Sequence, residues 1–327
     1  MATVTFKNST DIDSYFKSIT GSSFVSWFNT NHGNIEAFGG KESRRIANSA
    51  KWKEFWDLAG SVIYTDNNGS FNLLEFVALN TIIINETGGL FTPLSESVNS
   101  VSNPNKPGIA YAFNSGGKKS YNTLPGNINA YHLFRDLNYQ AAHGTLSYAT
   151  QLRNTLDTRW QKETFPTDSF TNLQDAVRTT PATFLTECDF YKFRGRGLIQ
   201  TTGRSNYILL IKYILNYTGS NSRILSYKTR WSAAPFNANE QIIATRSTNV
   251  DWDDLFLNTN SIIPVQAVKI HANASGEYQY VPYTTESEVT KKIKRVALKV
   301  SGSNGEYSTL YSNRIKQQFD SLEDKIS

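Results

Sequence analysis

The sequence is short of the residues that build disulfide frameworks and metal centres. One cysteine, Cys188, stands alone in 327 residues, so no intramolecular disulfide can form and no cysteine-rich zinc site is available. Histidine occurs at His32, His132, His143 and His271 only, with no pair at i and i+4, and no metal or other cofactor is expected. Long hydrophobic runs are missing as well. The longest, residues 76–84, is interrupted by Asn80 and Thr81 and falls far short of the ~20 apolar residues of a membrane-crossing helix, so membrane insertion is not expected. Residues 1–16 show neither a basic n-region nor an apolar h-region, which leads to the expectation of a chain made in the cytoplasm without a secretory signal. No Ser or Cys lies in a nucleophile-elbow pattern, and neither an internal repeat nor a heptad seam is visible.

What is present is an ordinary globular composition with a mild basic excess. Lys and Arg number 33 against 28 Asp and Glu, giving +5 and a pI near 9.0, which favours an anionic partner such as nucleic acid, a membrane surface or an acidic cell-wall polymer. The 17 Tyr and 19 Phe are a high aromatic share, suited to stacking on sugars, although most rings build core. The length allows two average domains or one large one.

Along the chain, residues 1–60 read as an N-terminal helical and loop region, with Trp27, Phe28, Trp52, Phe55 and Trp56 as apolar anchors. Residues 61–327 read as the catalytic domain, to which the N-terminal region can also belong. A turn at residues 66–69 leads into residues 72–86, apolar on nearly every face, which predicts a central buried helix stopped by Gly88 and Gly89. The β-branched run 82–84 would also suit a strand. Residues 100–188, rich in Ser, Asn, Gly and Tyr, read as an insertion with short helical patterns near 130–137 and 145–156. Tyr207, Ile208, Leu210, Ile211, Ile214 and Leu215 recur at helical spacing, with Thr202 a candidate N-cap. Residues 218–284 hold β-prone runs, 261–270 and 278–283. Val289, Ile293, Val296, Ala297 and Val300 mark an amphipathic helix, and Leu310, Tyr311, Ile315, Phe319 and Leu322 a final one.

Glu86 is the most informative position. It puts a carboxylate at the C-terminal end of a buried helix, where the backbone dipole disfavours negative charge, so its pKa is expected to rise. A carboxyl that stays protonated near neutral pH can protonate a leaving glycosidic oxygen, provided that a second carboxylate lies across the scissile bond. Glu96 is the nearest candidate. Gly88, Gly89 and Pro93 between the two allow the chain to loop back, whereas a continuous helix would carry them about 15 Å apart. Two surface glutamates flanking a loop would give the same local pattern.

A second cluster runs over residues 193–207, Phe-Arg-Gly-Arg-Gly-Leu-Ile-Gln-Thr-Thr-Gly-Arg-Ser-Asn-Tyr. Its alternating Gly and Arg imply something close to the backbone, but Gln200 stands where a dinucleotide loop needs glycine, and the P-loop spelling is absent. Arg194 and Arg196 lack the surrounding basic run of a nucleic-acid site, and no nucleic-acid partner is expected. Gln200, Thr202 and Asn206 are amides and a hydroxyl of the kind that orient water and sugar substituents. Asp251, Asp253 and Asp254 form a rival acidic cluster without an evident positioning element. Lys291, Lys292, Lys294, Arg295 and Lys299 read as the solvated side of an amphipathic helix, or as a patch that attracts an anionic wall.

Glu86-Thr-Gly-Gly-Leu followed by Leu94-Ser-Glu96-Ser-Val-Asn99 resembles the first catalytic segment of family 19 glycoside hydrolases, its phage-type lysins in particular. Residues 193–207 resemble that family's arginine, glycine, glutamine and asparagine-tyrosine signature still more closely. The resemblance implies a mainly α (α+β), lysozyme-like helical hydrolase with a small β element beside the cleft. It implies Glu86 as general acid, Glu96 as general base, inversion at the anomeric carbon, and Thr202 as a water-positioning hydroxyl. Gln200, Asn206, Tyr207 and Arg194 would serve the substrate. Residues 300–305 followed by Arg314 look like a decayed form of the family's asparagine-glycine-glycine turn and later arginine, which assigns Arg314 to the substrate too. Asn85 departs from the histidine that often precedes the acid, and Ser301 from the usual asparagine. The implied substrate is peptidoglycan, reached after lysis or injection, with chitin as the alternative. In a reading of another class, the chain is a structural or wall-binding component of a phage or injection particle.

Overall fold

The computed structural model describes residues 4–37, 40–65, 68–95, 192–275, 286–300 and 305–326. In chain order the helices are α1 (Ser9–Thr20), α2 (Phe24–Asn31), α3 (Ser49–Val62), α4 (Leu73–Thr87), α5 (Arg204–Leu215), α6 (Ser222–Ser232), α7 (Glu240–Arg246), α8 (Asn249–Leu257), α9 (Ile262–Ser275), α10 (Glu286–Val300) and α11 (Gly305–Ile326). Short strands β1 (Thr5–Phe6), β2 (Asn34–Ala37), β3 (Gly40–Ser43) and β4 (Phe71–Asn72) accompany them. β1 pairs antiparallel with β4, and β2 with β3. The described residues are mainly α with small antiparallel pairs, in line with the mainly α class expected. Glu96, Cys188, His132, His143, the expected helices near 130–137 and 145–156, the run 278–283 and the turn 301–304 lie outside the described residues.

Two compact units make up the chain. The first is Met1–Leu94, Gly197–Ile199 and Asn260–Ser327, and the second is Ser95–Arg196 and Gln200–Thr259. Residues 1–60, which the sequence pattern sets apart, share the first unit with the C-terminal helices.

The centre of the first unit is α4. Asn72 caps it, with Asn72 Oδ1 accepting from the Glu75 amide at 3.0 Å and Glu75 Oε2 accepting from the Asn72 amide at 2.7 Å, a capping box that fixes the first turn. Every residue from Leu73 to Ile84 is buried. That explains why the pattern is apolar all round: α4 packs against α10 and α11 and against aromatic rings from the N-terminal helices. Phe76 has the rings of Phe6, Phe16, Phe24, Trp52 and Trp56 around it at centroid distances of 4.7 to 6.5 Å. Asn80, fully buried, accepts at Oδ1 from the Trp52 indole at 2.9 Å and the Trp56 indole at 3.4 Å. The helix stops at Gly88 and Gly89, with φ of 61° and 81°. A Cβ on Gly89 would collide with the Arg45 carbonyl, so glycine is required there twice over.

The run 261–270, expected to be β-prone, lies mostly in α9. Ile263, Ala267 and Ile270 recur at i, i+4 and i+7 and are buried, Val265 and Val268 with them, and α9 packs on α3. Packing of these β-branched side chains outweighs their small intrinsic preference for strand. Pro264 sits in the first turn, where its missing N–H has no helical acceptor to serve. The amphipathic stripes at the C-terminus form as predicted: Val289, Ile293 and Ala297 are buried on α10, and Tyr311, Ile315, Phe319 and Leu322 on α11.

The second unit is helical through most of residues 222–259 as well, again in place of the expected β-prone segment. Four short helices close on Tyr207, Leu210, Ile211 and Ile214 of α5, Ile224, Tyr227 and Trp231 of α6, Ile243 of α7, and Trp252, Leu255 and Phe256 of α8. Asn221, Asn239 and Thr248 cap α6, α7 and α8 with side-chain acceptors. Those polar punctuators, rather than the β-branched residues between them, set the element boundaries.

Candidate functional site

In the first unit the site residues are Glu86 and Arg314. Glu86 lies one residue before the end of α4, half-buried against α11. The Tyr311 hydroxyl donates to Glu86 Oε1 at 2.6 Å. Burial pushes the Glu86 carboxyl above its ordinary value of 4.5, and the Tyr311 bond pulls it back only in part. The direction is the one expected, but its cause is burial rather than the helix dipole.

Glu86 closes a polar ladder between two antiparallel helices. Gln318 Nε2 donates to Thr81 Oγ1 at 2.7 Å, the Arg314 guanidinium donates to Asn85 Oδ1, and Tyr311 reaches Glu86. The three rungs step forward along α4 and backward along α11. Arg314, assigned to the substrate by resemblance, is 3% exposed and is spent on the residue beside the proposed acid. Asn85 is the acceptor that arginine uses.

In the second unit the motif's stretches 193–196 and 200–207 fold on each other. Arg196 and Thr201 exchange backbone bonds, N to O at 3.2 Å and 2.8 Å, closing a tight hairpin. Gln200 occupies its last loop position with φ of 52°, a left-handed conformation that costs a non-glycine residue about 1–2 kcal/mol. Gly203, φ 86°, then donates to the Phe193 carbonyl at 2.9 Å. Helix α5 starts one residue later than the sequence suggests. Its N-cap is Gly203 without a side-chain cap bond, so the expected cap at Thr202 is not formed. Thr202 is exposed, and its carbonyl accepts from Asn206 Nδ2 at 2.9 Å.

The arginines and the tyrosine of the motif point inward. Arg196, fully buried, donates to Asp253 Oδ1 at 2.7 Å, Asn249 Oδ1 at 2.7 Å, the Lys192 carbonyl at 2.6 Å and the Tyr207 hydroxyl at 3.0 Å. Arg194, 7% exposed, donates to both Asp253 oxygens at 3.1 Å and to Asn249. The Tyr207 hydroxyl in turn donates to the Arg194 carbonyl at 2.7 Å, while its ring packs on Phe193, Trp252 and Phe256. Arg194 and Tyr207 are therefore placed to hold the motif's shape, whereas Gln200, Thr202 and Asn206 lie at partly or fully exposed positions.

Asp253 is visible in the sequence only as part of an acidic cluster. Burial alone would raise its carboxyl, but Arg196 and Arg194 beside it outweigh that and hold it below its ordinary value of 3.8. It is an anchor for cations and a poor proton donor at neutral pH. The signal that could have found it is the Thr248–Asp251 capping box, which starts a helix and puts Asn249 and Asp253 four residues apart on one face. Tyr311 reads as core alone, since nothing in a linear pattern says that its hydroxyl meets a glutamate 225 residues away. Among the described residues no cluster of His, Cys, Asp and Glu is built to hold a metal ion. Comparison of the chain with protein-family models, with curated proteins and with solved structures returns no significant match.

Proposed function

We propose that this chain is a lysozyme-like glycoside hydrolase that cleaves β-1,4 bonds of an N-acetylglucosamine-containing polymer, peptidoglycan in first place. The observation that carries the reading is Glu86, a helix-end carboxyl whose pKa burial raises and whose one oxygen is fixed by Tyr311. Burial makes such a group hold its proton more tightly than an exposed glutamate does, the direction that general acid catalysis calls for. In the reaction Glu86 delivers that proton to the glycosidic oxygen as the bond to the anomeric carbon breaks. Glu96 takes a proton from water, which adds to the opposite face and inverts the centre. Thr202 orients the water, and Gln200 and Asn206 bind the sugar, roles that rest on the family resemblance.

One observation favours a second reading, a wall-binding or structural component of a phage or injection particle. Arg194, Arg196, Tyr207 and Arg314 are all spent on internal contacts, so a chain that kept only its fold would keep them too. Mass spectrometry of products released from purified peptidoglycan, with chitin oligomers in parallel and Glu86→Gln as the blank, separates the two. The enzyme is expected to release muropeptides and to lose roughly 10²- to 10⁴-fold on Glu86→Gln. Chitin cleavage alone would move the substrate to chitin. Silence on both polymers, with sedimentation onto the wall retained, would replace the enzyme by the binder.

A further inference from the structure

We infer that Asp253 is a positioning residue, one carboxylate that holds the Gln200–Thr202 hairpin and the chain at Ser95 in fixed relation. This rests on the glycosidase reading for its functional meaning. Four contacts converge on it: Arg196 Nε at 2.7 Å, Arg194 at 3.1 Å to each oxygen, and the Ser95 hydroxyl, which donates to Asp253 Oδ1 at 3.1 Å. Arg196 and Arg194 lie within the hairpin strand and just before it, and Ser95 immediately precedes Glu96 in the sequence. A single side chain on α8 thus braces, alongside the strand pairing of the chain at Ser95 with that at Arg196, the two stretches that by resemblance carry the water-orienting hydroxyl and lead into the base.

The hairpin needs such an anchor. Gln200 is held in a left-handed conformation that a free loop would leave. Backbone bonds at Arg196, Thr201 and Gly203 and strand pairing between the chain at Ser95 and at Arg196 hold the main chain, and they leave the direction of the Arg196 side chain to be fixed by its own partners. Asp253 fixes Arg196 from the side-chain end, while Asn249 Oδ1 and the Tyr207 hydroxyl complete the cage. A displacement of about 1 Å at a substrate-orienting group is enough to cost on the order of 10²-fold in rate, so the anchor matters although it never meets the sugar.

The test uses the full chain and a double-mutant cycle on peptidoglycan turnover. Asp253→Asn is expected to lower kcat/KM at least about tenfold in the wild-type background and less than about threefold in Gln200→Ala, because two residues acting through one geometry are not additive. Multiplicative effects would overturn the inference. Should Asp253→Asn fail to fold, Ser95→Ala leaves both arginine pairs intact and is read in its place. A fall in kcat that Ser95→Thr restores supports the anchor, and an unchanged kcat refutes it. If the wild type shows no Glu86-dependent turnover, the glycosidase reading falls by itself. Amide exchange at Thr201 and Gly203 then reads the positioning alone: Asp253→Asn, or Ser95→Ala where that variant does not fold, should weaken protection there. Asp254→Asn should not, and equal protection in all of them would sink the inference.

Discussion

Replacing Asp253 by alanine leaves Arg196, 0% exposed, as a buried charge whose ionic partner is gone. Deleting one member of a buried ion pair costs roughly 3–5 kcal/mol, since the survivor keeps its desolvation penalty without compensation. Two features place this case at the lower end. Arg196 retains neutral acceptors at Lys192, Tyr207 and Asn249, and Asp253 is 29% exposed, so water already screens part of the attraction. The expected loss is about 3 kcal/mol, which at ~1–3 kcal/mol per M of urea moves the unfolding midpoint by about 1 M or more. Tryptophan fluorescence reports it, because Trp231 and Trp252 pack 5.6 Å apart in the same unit. Asp254→Ala is the control: Asp254 accepts from Tyr227 and faces a half-exposed Arg223, a pair worth less than about 1 kcal/mol. The pH dependence has a definite sign. The folded Asp253 carboxyl is depressed, so its contribution is fully present above its ordinary value of 3.8 and is lost as pH falls through the folded value. The gap between wild type and Asp253→Ala should be full at pH 7 and close in acid. A loss no larger than that of Asp254→Ala, or a gap that persists at low pH, would refute the reasoning.

Glu86 and the hairpin carry three further expectations. Because burial raises the Glu86 carboxyl above 4.5, the folded chain holds that proton more tightly than the unfolded chain, and stability falls as pH rises from 4.5 through the folded value. Glu86→Gln should therefore melt above wild type at pH 8 and lose that advantage at pH 4, and a gap independent of pH in thermal melts would count against the buried acid. Tyr311→Phe removes the hydrogen bond that lowers the Glu86 pKa, so the alkaline limb of a pH–rate profile should move to higher pH, and movement to lower pH would exclude Glu86 as the acid. At Gln200, φ of 52° favours glycine over alanine, so Gln200→Gly should be about 1 kcal/mol more stable than Gln200→Ala by denaturant titration. The reverse order would mean that the left-handed turn is not kept in solution.

Legibility in the sequence tracks locality. α4 can be read because its capping residue, its all-round apolar face and its Gly88-Gly89 stop fall within 18 consecutive residues. α9 cannot, because Ile262, Ile263, Val265 and Val268 suit a strand until α3 supplies the surface that buries them. Glu86 is legible as a helix-end carboxyl, whereas the burial that shifts it is supplied in part by α11, a helix far along the chain. The arginines of the motif show the sharpest limit. Alternation with glycine says that Arg194 and Arg196 lie near tightly turned backbone, but the direction of each guanidinium depends on Asn249 and Asp253 more than 50 residues on.

That inward direction is itself informative about function. A buried arginine caged by one carboxylate and neutral acceptors is often no more stable than apolar side chains of the same volume, since its pairing barely repays its desolvation. The second unit already has an aromatic core in Phe193, Tyr207, Trp231 and Trp252 that could have extended into the space of Arg196. What an apolar side chain cannot do is fix a hairpin by directional bonds at the Lys192 carbonyl, the Tyr207 hydroxyl, Asn249 and Asp253 together. The energy spent on Arg196 is therefore better explained by geometry than by stability, and the part of the chain whose geometry it fixes is the turn that presents Gln200 and Thr202.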